Sequence, residues 1–263
     1  MPASPPLVSV LMTCFNREQY VADAIKSVLG STYSHLELII VDDCSTDNTV
    51  EIIKKFEVLD ARVKVFVNEQ NLTDYPNRNM AASFAKGKYI KYVDSDDILY
   101  PHGLQVMVNA MEQFPEAGYG LSCLGDSRYP FPKCISPHDA FTEHFNGMNH
   151  FDRAPGSAII TKDAFDTMGG FSGKRMIGDF ELWLKLGMYY PLVKFPVDLY
   201  WSRQHSGQES QADYAKKYAA LRKVVFEKTF ADKDCPLSET EIKEVKKMQQ
   251  RKVIKSKILN LIR

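Results

Sequence analysis

An open, mostly parallel α/β sheet flanked by helices, followed by a helical tail, is the fold class the sequence predicts. Three observations carry it. Continuous apolar runs alternate with stretches of helical periodicity from about residue 7 to residue 115. Those apolar runs end in polar, carboxylate-rich clusters, where open α/β sheets place their ligands. The chain has 263 residues, 44% of them hydrophobic, enough core for one large α/β domain or two small ones.

Each element follows in order. "LVSVLMTCFN" is an apolar run closed by polar residues, the pattern of a strand buried on both faces. "REQYVADAIKSVLGST" puts Val21, Ala24, Ile25, Val28 and Leu29 on one helical stripe that stops at Gly30. "HLELIIVDDCSTDNT" repeats the design, with Ser45 or Asp47 placed to cap a helix starting near Asn48. "VEIIKKFEVL" is that helix, "RVKVFVN" a third strand, "NRNMAASFAKG" a short helix and "YIKYVD" a fourth strand. The alternation predicts βαβ units with right-handed crossovers. Residues 114–155 are rich in Pro, Gly, His and aromatics without a period, and read as a loop-rich functional segment. Order resumes in "SAIITKDAFDTMGGF", and "GDFELWLKLGMYY" is an amphipathic helix.

With 33 basic and 33 acidic residues the net charge is zero, which argues against a general nucleic-acid binder. Five scattered cysteines without a CxxC pair read as reduced thiols of a cytoplasmic protein, neither a disulfide frame nor a zinc site. "MPASPPLVSV" lacks the features of a signal peptide, and no run of ~18 apolar residues occurs. The expectation is a soluble protein, attached at most to a membrane face.

Three polar clusters fall at predicted strand ends: Thr13 to Asn16, Asp42 with Asp43, and Asp94 to Asp97. Parallel strands would bring them to one edge. In "DSDD" the carboxylates Asp94, Asp96 and Asp97 crowd into four residues. At ~5 Å and an effective dielectric of ~20, each pair costs about 3 kcal/mol in repulsion. A hard dication, Mg²⁺ or Mn²⁺, would offset that cost, binding through one or two carboxylates and substrate phosphates. Neither GxGxxG nor GxxxxGK is present to hold phosphates in a glycine-rich loop. A nucleotide-type sheet with DxD and no phosphate loop points to a nucleotide-sugar transferase.

"VSVLMTCFNREQYVADAIKSVL", "LELIIVDDCSTDNTVEIIKKF", "NRNMAASFAKGKYIKYVDSDD" and "GGFSGKRMIGDFELWLKL" occur in the order seen in family-2 glycosyltransferases of the GT-A fold. The resemblance covers about residues 7–210. It implies a GT-A domain over 1–210, with a nucleotide-binding half at about 7–115, an acceptor-side half at about 116–210, and a basic helical extension over 211–263. It implies inverting transfer of a sugar from a nucleoside-diphosphate donor to a hydroxyl of a glycan or lipid-linked acceptor, assisted by Mg²⁺ or Mn²⁺. The setting it suggests is surface polysaccharide, lipopolysaccharide or glycoconjugate synthesis. Thr13 and Asp43 resemble the residues that hold the base, with Asn16 beside them, and Arg78 lies where an arginine approaches the nucleotide. Asp96 resembles the carboxylate at the ribose or metal, Asp96 or Asp97 the metal ligand, and the tandem spelling keeps Asp94 on the donor side. Arg203 and His205 resemble a late motif at the donor diphosphate.

Asp179 matches the catalytic base, and is equally placed to cap the helix that follows. Glu181 reads as a solvated helix residue. The chain departs from the family at three places. Gly178 stands where Glu is usual, Cys44 where Gly is common, and Asn71-Leu72-Thr73 replaces Asn-x-Gly. Gly178 and the altered loop after Asn71 support the alternative of a non-catalytic nucleotide-sugar-binding module with an interaction tail. In that tail Ser238 and Glu241 have capping-box spacing. From Glu241 onward, eight Lys/Arg face two Glu, with Ile242, Val245, Ile254, Ile258 and Leu261 at helical intervals. Such a helix suits either peripheral contact with the inner face of the cytoplasmic membrane or packing against protein.

Overall fold

The computed structural model describes residues 4–125, 128–197, 199–205 and 212–262. β1 (Val8–Cys14), α1 (Val21–Leu29), β2 (Leu36–Asp42), α2 (Thr49–Leu59), β3 (Val63–Val67), α3 (Asp74–Ser83) and β4 (Tyr89–Tyr92) follow the expected order. After them come β5 (Ile98–Leu99), α4 (Gly103–Glu112), β6 (Tyr119–Cys123), β7 (Lys133–Ile135) and α5 (Pro137–Glu143). β8 (Ala158–Thr161), α6 (Lys162–Thr167), α7 (Gly178–Tyr189), β9 (Leu192–Pro196) and β10 (Tyr200–Trp201) lead to α8 (Ala212–Ala231) and α9 (Glu239–Ile262).

Eight strands form one sheet in the order β3-β2-β1-β4-β8-β6-β9-β7, while β5 and β10 pair separately. β1 to β4 are mutually parallel where they pair, β8 runs against both β4 and β6, and β7 runs against β9. The carboxyl ends of β1, β2, β4 and β6 therefore share one edge. Alternation explains the buried runs: Val8, Val10 and Met12 face one apolar cluster with α1, and Leu11, Ile39 and Val41 face the other. Both faces of the sheet are covered, which is why these strands read as unbroken apolar runs.

Two expectations are corrected. Residues 114–155 contain β6, β7, α5 and a π-helical turn over His144–Met148, so the segment is structured, with β6 inside the sheet. Its strand signal is muted by Gly120, where a Cβ would come within 2.6 Å of the Phe195 ring and 2.9 Å of the Met111 sulfur. Helix α3 also begins at Asp74, three residues before Asn77, with Pro76 tolerated in its first turn.

The C-terminal helices pack on this body. Val225, Phe226, Phe230, Leu237 and Val245 share an apolar cluster with Phe145 and Phe180. The expected capping box forms: Ser238 N–H donates to Glu241 Oε2 (2.8 Å) and Glu241 N–H to Ser238 Oγ (3.3 Å). Ile242 and Val245 pack inward on this body, the second of the two roles the sequence left open for their stripe. Ile254, Ile258 and Leu261 lie outside the side chains described. Among the described residues, no helix is long and apolar enough to cross a membrane.

Candidate active site

The shared carboxyl edge opens into a cleft of about 670 Å³. Thr13 and Asn16 reach it from the end of β1, Asp43 from β2, Asp94 and Asp96 from the turn after β4, and Arg78 from α3. Those six expected donor-side residues are brought together. Arg17, Asp74 and Arg175 line it as well, and the sequence reading had overlooked all three. Arg17 directly follows the first polar cluster, and Asp74 stands four residues before Arg78, so both had a local signal.

The acidic crowding is answered largely by the chain's own cations. Arg78, a residue only 9% exposed, places its guanidinium 2.8 Å from Asp94 and 2.7 Å from Asp74. Arg17 Nε is 3.2 Å from Asp96 Oδ2, and His205 Nε2 meets the same oxygen at 3.0 Å. Arg203 Nε donates to the Asp96 carbonyl (2.9 Å), and its backbone N–H to Asp97 Oδ1 (3.0 Å). The repulsion therefore does not by itself call for a dication, the relief to which the bare sequence pointed. Some repulsion persists: burial, then the Asp94 and Asp96 charges, push Asp97 up to about 7.

Asp96 lines the cleft, whereas Asp97 is buried behind it. The donor set suits a hard cation. Asp94 Oδ1 is buried and receives no aligned hydrogen bond despite the nearby guanidinium. Among the described residues no three metal-binding side chains converge. A cation here would need substrate oxygens to complete its shell, as Mg²⁺ and Mn²⁺ sites commonly do.

Asp43 and Asn16 are spent largely on loop geometry. Asp43, 3% exposed, accepts from the N–H groups of Leu72 (2.8 Å) and Thr73 (2.9 Å) and from the Asn68 amide (2.8 Å). Asn16 Oδ1 accepts the Thr46 N–H (2.9 Å). Thr73 and Cys44, two positions where the resemblance leads one to expect glycine, have φ of 70° and 67°. Left-handed backbone at such residues costs on the order of 1–3 kcal/mol. Cys44 is exposed, not packed. Of the two cap candidates for α2, Asp47 accepts the Thr49 N–H (3.0 Å), while Ser45 turns to Asp42 (2.6 Å).

Asp179 sits in the first turn of α7, one residue past where that helix begins. Its Oδ1 accepts the Phe180 N–H (2.7 Å), and Ile177 holds the cap position. Burial pushes the Asp179 carboxyl up to about 6, against the pull of the Phe180 N–H, the Tyr75 hydroxyl and the Arg78 charge. It stands apart from the cleft-lining set and connects to it through Tyr75 and Arg78 of α3.

Tyr75 also accounts for Gly178: a Cβ there would lie 2.8 Å from the Tyr75 ring. The ring occupies the space that a side chain at 178 would need, and the Tyr75 hydroxyl supplies Asp179 with a polar neighbour. Gly178→Ala is expected to cost about 1–3 kcal/mol through overpacking, read from urea unfolding. An unchanged midpoint would show that the ring is free to swing away. Glu181, expected to be solvated, is buried and holds Ser172 and Lys174, closing the loop that leads into α7.

Residues 9–172 match the model of a family described as "Glycosyl transferase family 2". The chain is 36% identical over 141 residues to a putative teichuronic acid biosynthesis glycosyltransferase, TuaG, of Bacillus subtilis, covering 52% of this chain and 55% of that one. The matched stretch spans about half or less of the first curated relatives' own lengths. Among solved structures, S. aureus TarS 1–349 in complex with UDP-GlcNAc superposes with a TM-score of 0.71 at 17% identity, over 90% of this chain and 70% of that one. The mannosyltransferase PcManGT from Pyrobaculum calidifontis, in complex with GDP-Man and Mn²⁺, gives 0.64 at 18% identity, over 88% and 66%.

Proposed function

The chain belongs to glycosyl transferase family 2, and from that premise we propose that it transfers a sugar, with inversion, from a nucleoside-diphosphate donor to a hydroxyl of a glycan or lipid-linked acceptor. Cell-surface polysaccharide synthesis is the setting, in keeping with the name of the B. subtilis relative. One observation carries the reading. A cleft walled by Asp94, Asp96, Arg17 and Arg78 opens near a separate, half-buried carboxylate, Asp179, whose ionisation sits at about 6. The first group is suited to a diphosphate and its cation, the second to accepting a proton near neutral pH.

Asp179 takes the acceptor proton as that oxygen attacks the anomeric carbon. The nucleoside diphosphate leaves from the opposite face, so configuration inverts and no second nucleophile is required. Thr13, Asn16 and Asp43 shape the base end of the donor site. His205 at the Asp96 carboxylate and Arg203 at the Asp96 backbone carbonyl orient that residue next to the diphosphate. Mg²⁺ or Mn²⁺, held by Asp96 with Asp94 beside it and Asp97 behind, would supply Lewis-acid neutralisation of the leaving diphosphate. The basic α9 is compatible with work at the inner face of the cytoplasmic membrane.

The test begins with thermal shifts in UDP, GDP, CDP and dTDP, each with and without Mn²⁺. One diphosphate is expected to stabilise the protein, by ~2.7 kcal/mol at a hundred times its dissociation constant, and more so with the metal. The corresponding nucleotide-sugar should then be hydrolysed slowly without any acceptor. Binding with no hydrolysis would favour the non-catalytic module, and no shift with any of the four would sink both readings.

A further inference from the structure

Tyr218, Arg222, Phe226 and Phe230 recur every fourth residue of α8 and so share one face of that helix. The face meets α7 at its first turn. The Arg222 guanidinium lies over the Phe180 ring, 4.5 Å from its centroid, and Arg222 Nη1 reaches Asp152 at 2.7 Å. Phe226 meets the same ring edge-on at 5.2 Å. Phe180 is fully buried and is the residue next to Asp179. The Tyr218 ring packs beside the Arg222 guanidinium, 5.7 Å from ring centroid to its carbon, and burial, then the Asp179 charge, oppose ionisation of its phenol. The family match ends at residue 172, well before α8.

We propose that α8 is a wall of the catalytic chamber: Tyr218 keeps water from Asp179, and Arg222 locks the helix turn that carries it. Both are positioning residues, and the inference rests on Asp179 being the base. A cation held between an aromatic face and a carboxylate has little room to slide. A shift of ~1 Å at the base can cost ~10²-fold in rate, so a fixed first turn matters. The groups acting on Asp179 are the Phe180 N–H on its own helix and Asp74, Tyr75 and Arg78 from α3, while α8 presents Tyr218 and the charged Arg222 to the same turn.

The experiment is a carboxyl ¹³C NMR titration of Asp179 in the full chain, assigned with Asp179→Asn, alongside the pH profile of donor hydrolysis. Tyr218→Ala should admit water and move the titration midpoint down by about one pH unit or more, toward an ordinary carboxylate. Tyr218→Phe should leave it in place. Arg222→Met should slow hydrolysis about tenfold or more with KM for the donor unchanged, and Arg222→Lys should restore most of the rate. An unmoved midpoint in Tyr218→Ala overturns the proposal, as does an Arg222→Met enzyme of ordinary rate. Should Tyr218→Ala fail to fold, Tyr218→Leu, which also opens the wall, takes its place in the titration. If the wild type hydrolyses no donor, the catalytic reading falls, while the titration still decides whether α8 shields Asp179.

Discussion

Asp179→Asn is expected to lower donor turnover by ~10²–10⁴-fold while leaving nucleoside-diphosphate affinity unchanged. The amide has the shape of the carboxylate and keeps an oxygen for the Phe180 N–H, which Asp179 accepts at 2.7 Å. It cannot take a proton. Asp179 also stands apart from the residues that line the donor cleft, so binding and chemistry are separable at this position. The pH dependence follows from the carboxyl being held at about 6. A general base works when ionised, so wild-type kcat/KM should climb through about pH 6 and level off above it. The variant should lose that limb. Hydrolysis of the cognate nucleotide-sugar between pH 5 and 8 checks both points. An acid limb of unchanged midpoint in Asp179→Asn would move the base elsewhere.

The first half of the fold was legible because burial on both faces of a parallel sheet writes itself as apolar runs, and β1, β2 and β4 carry such runs. The candidate donor site was legible for the related reason that its polar residues sit where those runs stop. What stayed hidden depends on contacts through space. Tyr75 has no local mark as the neighbour of Asp179; it becomes one because α3 starts early and Gly178 leaves room for its ring. The repulsion among Asp94, Asp96 and Asp97 was real, but its relief by Arg17, Arg78 and His205 joins segments up to 109 residues apart. The four-residue spacing on α8 was visible in principle. Its partners, Phe180 and Asp152, were not, so the helix read only as charged.

Lys194→Met is expected to cost about 3–5 kcal/mol, the penalty for stranding a charge in a buried ion pair. Lys194 is wholly buried on β9 and donates from Nζ to Tyr129 Oη (2.7 Å) and Glu143 Oε2 (3.0 Å). His150 Nε2 meets that same oxygen at 2.7 Å, and Arg128 reaches Oε1 at 2.8 Å. Burial on its own pushes the Glu143 carboxyl up, but hydrogen bonds from His150 and Lys194 bring it down to about 2, from an ordinary 4.5. Because the folded value lies below the unfolded one, Glu143 contributes stability above about pH 4.5 and loses it as pH falls toward 2. At 1.36 kcal/mol per unit, discounted for solvent screening around this partly exposed group, the contribution is on the order of 1–2 kcal/mol. Glu143→Gln should therefore be less stable than the wild type at pH 7 and draw level with it near pH 2. Urea unfolding at pH 7, 5 and 3 measures the convergence. Cys123 at the end of β6 lies 3.6 Å from His150 Nδ1, so the network ties β6, β9 and α5 together in the half of the sheet beyond β4. Satisfied buried networks of this kind select one packing over its neighbours. If Glu143→Gln instead parallels the wild type at every pH, the carboxylate adds no net charge stabilisation, and apolar contacts alone hold that half in shape.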